Sequence, residues 1–293
     1  VISRAGGSSA IASAAYRAAQ RLHDERLNRD HDFTNKAGVE HSEIMLPEGA
    51  PARLADRETL WNEVEAVELR KDAQLAREIE FALPREMNRE QAIALARDFV
   101  QNELVERGMI ADLNVHRDMG ADGLAKPHAH VMLTTRSVSE AGFGAKVRDW
   151  NRTELLQAWR QRWEGHVNER LALLNIDARI DHRTLQAQGI ALEPQNKIGA
   201  AAARRLEQGL NAERVEDHRA IARANGERLL RAPEIALGAI TRTQATFTNR
   251  DLAIFAHRHS DGKDQFDAVI KAVKASPELV RLGLDGRSDE RFT

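Results

Sequence analysis

The chain has 293 residues, of which 42% are hydrophobic and 30% charged, so it is long enough for one large domain or two smaller ones with a buried core. It has no cysteine, which excludes disulfides and thiolate metal sites, and no signal peptide or apolar run near the roughly 18 residues of a membrane span. These features predict a cytoplasmic protein without membrane contact, and the net charge of −2 gives no support for nucleic-acid binding, although a local stripe of arginine suffices for it. The first residue is Val1 rather than Met, which indicates a fragment or a processed product.

The first region is predicted to mix helices with amphipathic strands. A serine caps a helix over residues 10–27 that carries Tyr16, the only tyrosine of the chain. Periodicity and capping residues then predict an edge strand over 39–46, a helix over 56–71, a strand over 76–83 and a helix over 89–107. Glu78 and Glu80 share one face of the strand over 76–83, because side chains two apart on a strand point the same way.

Two neighbouring runs, 112–116 and 128–135, alternate apolar and polar residues and are joined by a glycine-containing loop. His128 and His130 share a strand face, and antiparallel pairing of the two runs brings His116 beside them. Three imidazoles from two strands form a metal site with open coordination positions. A His-x-His pair alone is more often an exposed strand face. The third histidine favours a real site, but geometry leaves open a structural metal, a hydrolase or a phosphoryl-transfer centre.

A long helix is predicted over 153–174, followed by a dense polar cluster over 177–185 that includes His182. The mixed first region predicts an α+β domain over 1–199, built as an antiparallel sheet with helices on one face and a working surface on the other. Residues 200–232, rich in Ala, Arg and Glu, predict an exposed helical linker. Residues 233–293 predict a small helical, winged-helix-like segment.

Several motifs together resemble the MobA/MobL type of conjugative relaxase, in particular the TraA-like proteins. They are His116, Pro127-His128-Ala129-His130, the helix Ser8-Ser9-Ala10 to Tyr16-Arg17, the strand Arg77-Glu78-Ile79-Glu80-Phe81-Ala82-Leu83-Pro84, Gly142-Phe143-Gly144-Ala145-Lys146 and Arg179-Ile180-Asp181-His182-Arg183-Thr184. The resemblance covers about residues 3–199, with the motifs in the family's order. Residues 227–293 are similar to the segment that joins relaxase to helicase in TraA-like proteins, although the helicase motifs are absent.

The resemblance implies an HUH endonuclease fold and a site- and strand-specific DNA nickase. The Tyr16 hydroxyl attacks one phosphodiester at a plasmid transfer origin, the protein stays linked to the 5′ phosphate, and the reverse reaction rejoins the strand. His116, His128 and His130 hold a divalent metal ion, Mn²⁺ or Mg²⁺. Glu80 orients a ligand histidine, with Glu78 and Asp118 ranked below it for this role.

The implied partners are single-stranded DNA of the transfer origin, folded with a hairpin, together with relaxosome proteins and the type IV coupling protein. Aromatic residues are only 4% of the chain, so arginine stacking and hairpin shape carry more of the recognition than in aromatic-rich DNA binders. Arg4, Arg17 and His182 are left open between DNA contacts and structural roles.

Three other functions remain as alternatives. An HUH replication initiator or transposase shares the chemistry, but usually carries its tyrosine after the His-x-His. A DNA-binding module with a structural zinc needs no nucleophile, and Tyr16 is then a core residue with a bonded hydroxyl. A metallohydrolase of small substrates is disfavoured because the chain lacks a His-Glu-x-x-His helix.

Overall fold

The two histidine-bearing strands lie side by side near the centre of a five-stranded antiparallel sheet. The computed structural model describes residues 1–120, 123–195, 212–286 and 288–293, which divide into two compact units, Val1–Arg170 and Leu171–Thr293. The strands of the first unit are β1 (Ile2–Ser3), β2 (Arg21–Asp24), β3 (Arg29–Asp32), β4 (Val39–Met45), β5 (Gln74–Ala82), β6 (Ala111–Met119), β7 (Ala125–Leu133), β8 (Arg136–Ser139) and β9 (Gly142–Lys146). The central sheet has the order β1-β5-β7-β6-β4, while β2 pairs with β3 and β8 with β9.

Three of the four α-helices of this part begin at the capping residues that the sequence predicts. The four are α1 (Ala10–Ala18), α2 (Arg57–Val67), α3 (Arg89–Glu103) and α4 (Thr153–Leu173). The side chains of Ser9, Asp56 and Asn88 each accept a hydrogen bond from the backbone N–H three residues later, which satisfies a donor that the first helical turn leaves unpaired.

One face of the sheet is apolar and packs against α3 and α4. Leu113 and Val115 of β6 and Val131 of β7 are fully buried on this face. The ring of Phe81 on β5 contacts Phe99 of α3 and Trp163 of α4, with centroid distances of 5.4 and 4.3 Å. These aromatic contacts hold the apolar face against the two helices. The side chains that alternate with these apolar residues along each strand therefore point to the opposite face.

The opposite, polar face is partly covered by α1 and α2. The prediction of an α+β antiparallel sheet is confirmed, but helices contact both of its faces rather than one. Asp112 and Asn114 of β6 are fully buried there, and buried polar groups require partners that solvent no longer supplies. Arg57 and Trp61 of α2 donate to Asp112, and Asn114 donates to Asp112 and accepts from Ser42 of β4.

The first helix is shorter than the predicted span 10–27. It ends at Ala18, because Ala19 adopts a left-handed conformation at φ 53°, and the chain continues as the β2–β3 hairpin. Leu22 and Asp24 are buried on one side of β2, and Asn28 takes the left-handed turn position that asparagine tolerates. The arginine-rich composition of this stretch is typical of an exposed helix. Each strand of the hairpin has only four residues, so its two-residue alternation is too short to be recognised in the sequence.

The second unit contains α5 (Ala212–Arg231), α6 (Glu234–Thr241), β10 (Phe247–Thr248), α7 (Asn249–Arg258), α8 (Gly262–Lys274), β11 (Arg281–Leu284) and β12 (Glu290–Phe292). In its three-stranded sheet β12 pairs with both β10 and β11, around a core that includes Leu237, Phe247 and Phe292. This element order is consistent with the winged-helix-like segment predicted over 233–293, which stays a prediction.

The predicted linker over 200–232 is only partly within the described residues, since 200–211 lie outside them. Its remaining part is not an exposed connector, because Leu229 of α5 is fully buried in the core of the second unit. Asn225 of α5 is also buried and exchanges two 2.8 Å hydrogen bonds with the backbone of Glu193. The contacts between residues separate the two compact units after Arg170. The domain boundary predicted at residue 199 stays a prediction.

A candidate metal and nucleophile site

Three histidine rings meet on the polar face of the central sheet. His116 of β6 lies directly opposite His128 of β7 in the antiparallel register, and His130 follows two residues later on the same face. The ring centroids are 5.4, 4.8 and 5.0 Å apart, and one nitrogen from each ring lies within 4.8 Å of the other two. The hairpin predicted from alternation therefore brings these side chains together.

Each ring is oriented by a hydrogen bond from one nitrogen to an oxygen acceptor. His116 Nε2 lies 2.7 Å from the carbonyl oxygen of Arg17, and His128 Nδ1 lies 2.8 Å from the carbonyl oxygen of Lys126. His130 Nδ1 lies 2.9 Å from Glu78 Oε1. Because these oxygens only accept, the bonded nitrogens carry the protons. His116 Nδ1, His128 Nε2 and His130 Nε2 keep their lone pairs for a cation.

Burial also favours the neutral, ligating form of His116. Desolvation, together with the positive charge of Lys36 and the neighbouring histidines, lowers the pKa of His116 to about 4, although the hydrogen bond to Arg17 opposes the shift. His116 is therefore unprotonated at neutral pH. A set of three imidazole nitrogens fits a divalent transition metal better than Mg²⁺, and it leaves the remaining coordination positions open.

The structure places Glu78 on a ligand histidine. Glu78 accepts from His130 and from both Nε and Nη2 of Arg17 at 2.6 Å. Burial raises the pKa of Glu78, but the hydrogen bonds from His130 and Arg17 outweigh this and hold it at about 2, so the carboxylate is ionised at neutral pH. Glu80 is opposite His130 in the register, yet its side chain is exposed.

Tyr16 projects from α1 next to the histidines. Its side chain is 50% exposed, so it is not the buried core residue considered as an alternative. Its ring packs edge-to-face on Phe33 at 5.3 Å, and the Lys36 ammonium lies 4.2 Å from the ring centroid. The same ammonium is 3.4 Å from His116 Nδ1. The Lys36 side chain therefore lies between the tyrosine ring and the three histidines.

The remaining candidates have structural partners. Arg4 pairs with the buried Glu65 carboxylate at 2.7 Å, and Arg17 is held by Glu78. Asp118 Oδ2 lies 3.8 Å from His128 Nε2, which is longer than a hydrogen bond, and its side chain is 60% exposed. His182 belongs to the second unit, beside an ion pair of Asp181 with Arg183.

Sequence reasoning missed a buried polar network next to His116. Asp112 accepts from Arg57 Nε at 3.0 Å, from Trp61 Nε1 at 2.8 Å and from Asn114 Nδ2 at 2.8 Å. Arg57 also donates to Ser42 Oγ at 2.7 Å. Alternation correctly put Asp112 on the face of His116, but periodicity alone treats any polar strand face as solvent-exposed.

Sequence reasoning also missed Lys36, which precedes β4 in a segment without periodicity. Burial lowers the pKa of Lys36, with Arg17 acting in the same direction and Asp118 opposing. No sequence signal distinguishes this lysine from the other lysines of the chain.

Replacement of Glu78 by Gln is expected to weaken Mn²⁺ binding about 10- to 100-fold, because the carboxylate that orients His130 loses its charge. Titration calorimetry of the free protein measures this. Glu80→Gln is the matched control, on the same strand face two residues away, and is expected to change the affinity less than threefold. A larger loss in Glu80→Gln than in Glu78→Gln would restore the order of the two residues predicted from the sequence.

Within the described residues, every helix is too short or too polar to span a bilayer.

The family model described as "MobA/MobL family" matches residues 8–208. The chain is 37% identical over 322 residues to "Conjugal transfer protein TraA" of Agrobacterium fabrum (strain C58 / ATCC 33970), an alignment that covers 97% of this chain and 29% of that protein. It is also 37% identical over 232 residues to "Mobilization protein MobL" of Acidithiobacillus ferridurans, covering 69% of this chain and 61% of the relative.

A solved structure described as "Molecular Basis of Vancomycin Resistance Transfer in Staphylococcus aureus" is similar to this chain, with a TM-score of 0.58 and 37% sequence identity. The match covers 62% of this chain and 95% of that one. It agrees with the predicted α+β fold of HUH endonucleases. Since the family model matches more than half of the chain and the TraA relative matches nearly all of it, this chain belongs to the MobA/MobL family.

Proposed function

We propose that this chain is the nicking part of a conjugative relaxase, which cuts one DNA strand at a plasmid transfer origin and later rejoins it. One observation carries the proposal. In each of the three histidines one ring nitrogen is hydrogen-bonded to an oxygen acceptor, the three rings are neighbours on one sheet face, and the lone tyrosine of the chain lies beside them. The names of the TraA and MobL relatives support the assignment to conjugal transfer and mobilization. The chain spans 29% of the TraA relative, so other activities of the longer protein are outside the proposal.

In the proposed reaction the Tyr16 oxygen attacks the phosphorus of one phosphodiester. A bond from the tyrosine oxygen to phosphorus forms, the bond from phosphorus to the 3′ oxygen breaks, and the phenol proton is exchanged through solvent for the proton of the new 3′ hydroxyl. The 5′ phosphate remains on Tyr16. One phosphodiester replaces another, so the step is reversible, and attack by the 3′ hydroxyl returns the strand to a continuous state.

His116, His128 and His130 would hold the divalent ion, Mn²⁺ or Mg²⁺, which when bound acts as a Lewis acid toward a non-bridging phosphate oxygen, worth several kcal/mol. The protein's part is positioning. Glu78 keeps the His130 ring in the ligating tautomer, and the Arg17 carbonyl does the same for His116. Arg17 also belongs to α1, so the helix that carries the nucleophile is bonded directly to the ligand set.

The proposed DNA partner is single-stranded origin DNA with a hairpin, and the proposed protein partners are relaxosome proteins and a type IV coupling protein. A replication initiator and a non-catalytic DNA-binding module are the competing assignments. The module is distinguished by the absence of a covalent product. The initiator is distinguished by cleavage at a replication origin instead of a transfer origin.

The test uses overlapping single-stranded oligonucleotides that tile both strands of the replicon carrying the gene. Each is labelled at its 3′ end and incubated with the protein and Mn²⁺, with EDTA as the control. Because the protein keeps the 5′ phosphate of the downstream fragment, the label should migrate with the protein on a denaturing gel, for oligonucleotides of one strand at one site. DNA binding without a metal-dependent adduct on any oligonucleotide would contradict the proposed function.

A further inference from the structure

The ammonium of Lys36 occupies a central position between the nucleophile and the ligand set. It lies 4.2 Å from the centroid of the Tyr16 ring and 3.4 Å from His116 Nδ1, the nitrogen left for a cation. The Asp118 carboxylate and the Arg17 guanidinium are the charged groups that act on it. A single positive charge therefore touches both parts of the proposed reaction centre.

The 33–38 loop holds this lysine in place at both of its ends. The backbone N–H of Phe33 donates to Gln20 at 3.2 Å, and that of Lys36 donates to Phe33 at 2.9 Å. At the other end, Arg117 donates its N–H to the Gly38 carbonyl at 2.8 Å. Gly38 has a φ of +87°, which strains any side chain, and a Cβ there would lie 3.2 Å from Asp118 Oδ1, so glycine suits the close approach of this loop to β6.

The position of Lys36 conflicts with a metal ion on His116, and the protein anion that acts on Lys36, the Asp118 carboxylate, is mostly exposed to solvent. The ammonium donates toward the lone pair that a cation needs on His116 Nδ1. When a divalent ion takes that nitrogen, the displaced ammonium stays nearby because its loop is fixed, and two positive charges face each other in a half-buried space. A negatively charged phosphate oxygen between them would attract both the ammonium and the metal ion. The proposed reaction supplies such an oxygen, because the scissile phosphate must reach Tyr16.

We propose that Lys36 binds a non-bridging oxygen of the scissile phosphate, so that metal and DNA strengthen each other's binding at this site. The proposal rests on the proposed function and adds a phosphate-contacting residue to it. Lys36 transfers no proton in this role. It donates hydrogen bonds to the phosphate and neutralises negative charge as the tyrosine oxygen approaches.

The test separates binding from chemistry by using the Tyr16→Phe variant, which keeps the ring against Lys36 but cannot form an adduct. Lys36→Met is compared with Lys36→Arg and with Lys71→Met, an exposed lysine that controls for net charge. Methionine keeps the packing on the ring. Mn²⁺ binding to the free protein is measured by calorimetry, and binding of the origin oligonucleotide by fluorescence anisotropy with and without Mn²⁺. Thermal melting checks that each variant is folded.

Lys36→Met is expected to bind Mn²⁺ as tightly as the parent or several-fold more tightly, because the competing charge is gone. The gain in DNA affinity on adding Mn²⁺ should fall about tenfold or more, as for loss of a hydrogen bond to a charged group, and Lys36→Arg should keep most of it. Weaker Mn²⁺ binding in Lys36→Met, or an unchanged gain, would overturn the proposal. No DNA binding by any variant would refute the proposed function itself, which is distinct from intact binding that is insensitive to Lys36.

Discussion

Replacement of Tyr16 by Phe is expected to abolish the covalent protein–DNA adduct, with a loss of at least about a thousandfold in its rate of formation, because no other group replaces a missing nucleophile. Affinities for Mn²⁺ and for single-stranded origin DNA should stay within about threefold of the parent. The substitution removes one oxygen and keeps the edge-to-face contact with Phe33 and the contact with Lys36. The half-exposed side chain imposes little structural penalty for the change.

The adduct can be located without ambiguity, because Tyr16 is the only tyrosine of the chain. Trypsin cleaves after Arg4 and after Arg17, so a nuclease-trimmed adduct should appear by mass spectrometry on the peptide 5–17. Phe33→Leu is the control, since it alters the neighbouring ring and keeps the hydroxyl, and it should retain adduct formation. An undiminished adduct in Tyr16→Phe would assign the nucleophile to another residue.

Replacement of Asp112 by Ala is expected to lower the free energy of unfolding of the first unit by about 3–5 kcal/mol, because it leaves the buried Arg57 guanidinium without its carboxylate. Asp112 is fully buried, and Trp61 and Asn114 also lose their acceptor. Asp112→Asn keeps one acceptor oxygen and should cost less. The network adjoins His116 on β6, so we expect weaker metal binding as well.

Urea unfolding followed by tryptophan fluorescence measures this effect in the first unit alone, because all four tryptophans lie within Val1–Arg170. Asp98→Ala is the matched control. Asp98 forms an ion pair with Arg170 at the surface, where such pairs contribute at most about 1 kcal/mol. Equal unfolding midpoints for the Asp112 and Asp98 variants would show that the buried network does not stabilise this unit.

The histidine hairpin could be predicted from the sequence because two-residue alternation assigns each side chain to a face, and antiparallel pairing then fixes which residues are opposite. Alternation does not say which of two side chains on one face reaches a neighbour. The sequence ranks Glu80 above Glu78, whereas the structure shows Glu78 in contact with His130, because Arg17 of α1 holds Glu78 in the site. The identity of a cross-helix partner is not contained in strand periodicity.

Other features lay beyond the same reasoning for different reasons. Arg57 and Asp112 are 55 residues apart, and only the packing of α2 on the sheet reveals that both are buried. Lys36 is placed by loop hydrogen bonds rather than by a repeat. Leu229 is one of the few large apolar residues in a charged helix, so composition predicted a solvated linker where the second unit has part of its core.

Two of the three groups that orient the histidines are main-chain carbonyls, those of Arg17 and Lys126. No substitution of a side chain deletes a carbonyl, and Pro127 restricts Lys126 to extended backbone angles, which keeps its oxygen aimed at His128. Drift in the gene can therefore change Lys126 without disturbing the ring it orients, whereas Arg17 also holds Glu78 through its side chain. Among the three rings, His130 is the one whose orientation depends on side chains, those of Glu78 and of Arg17 that holds it, and selection on the centre's geometry should fall mainly on these two residues.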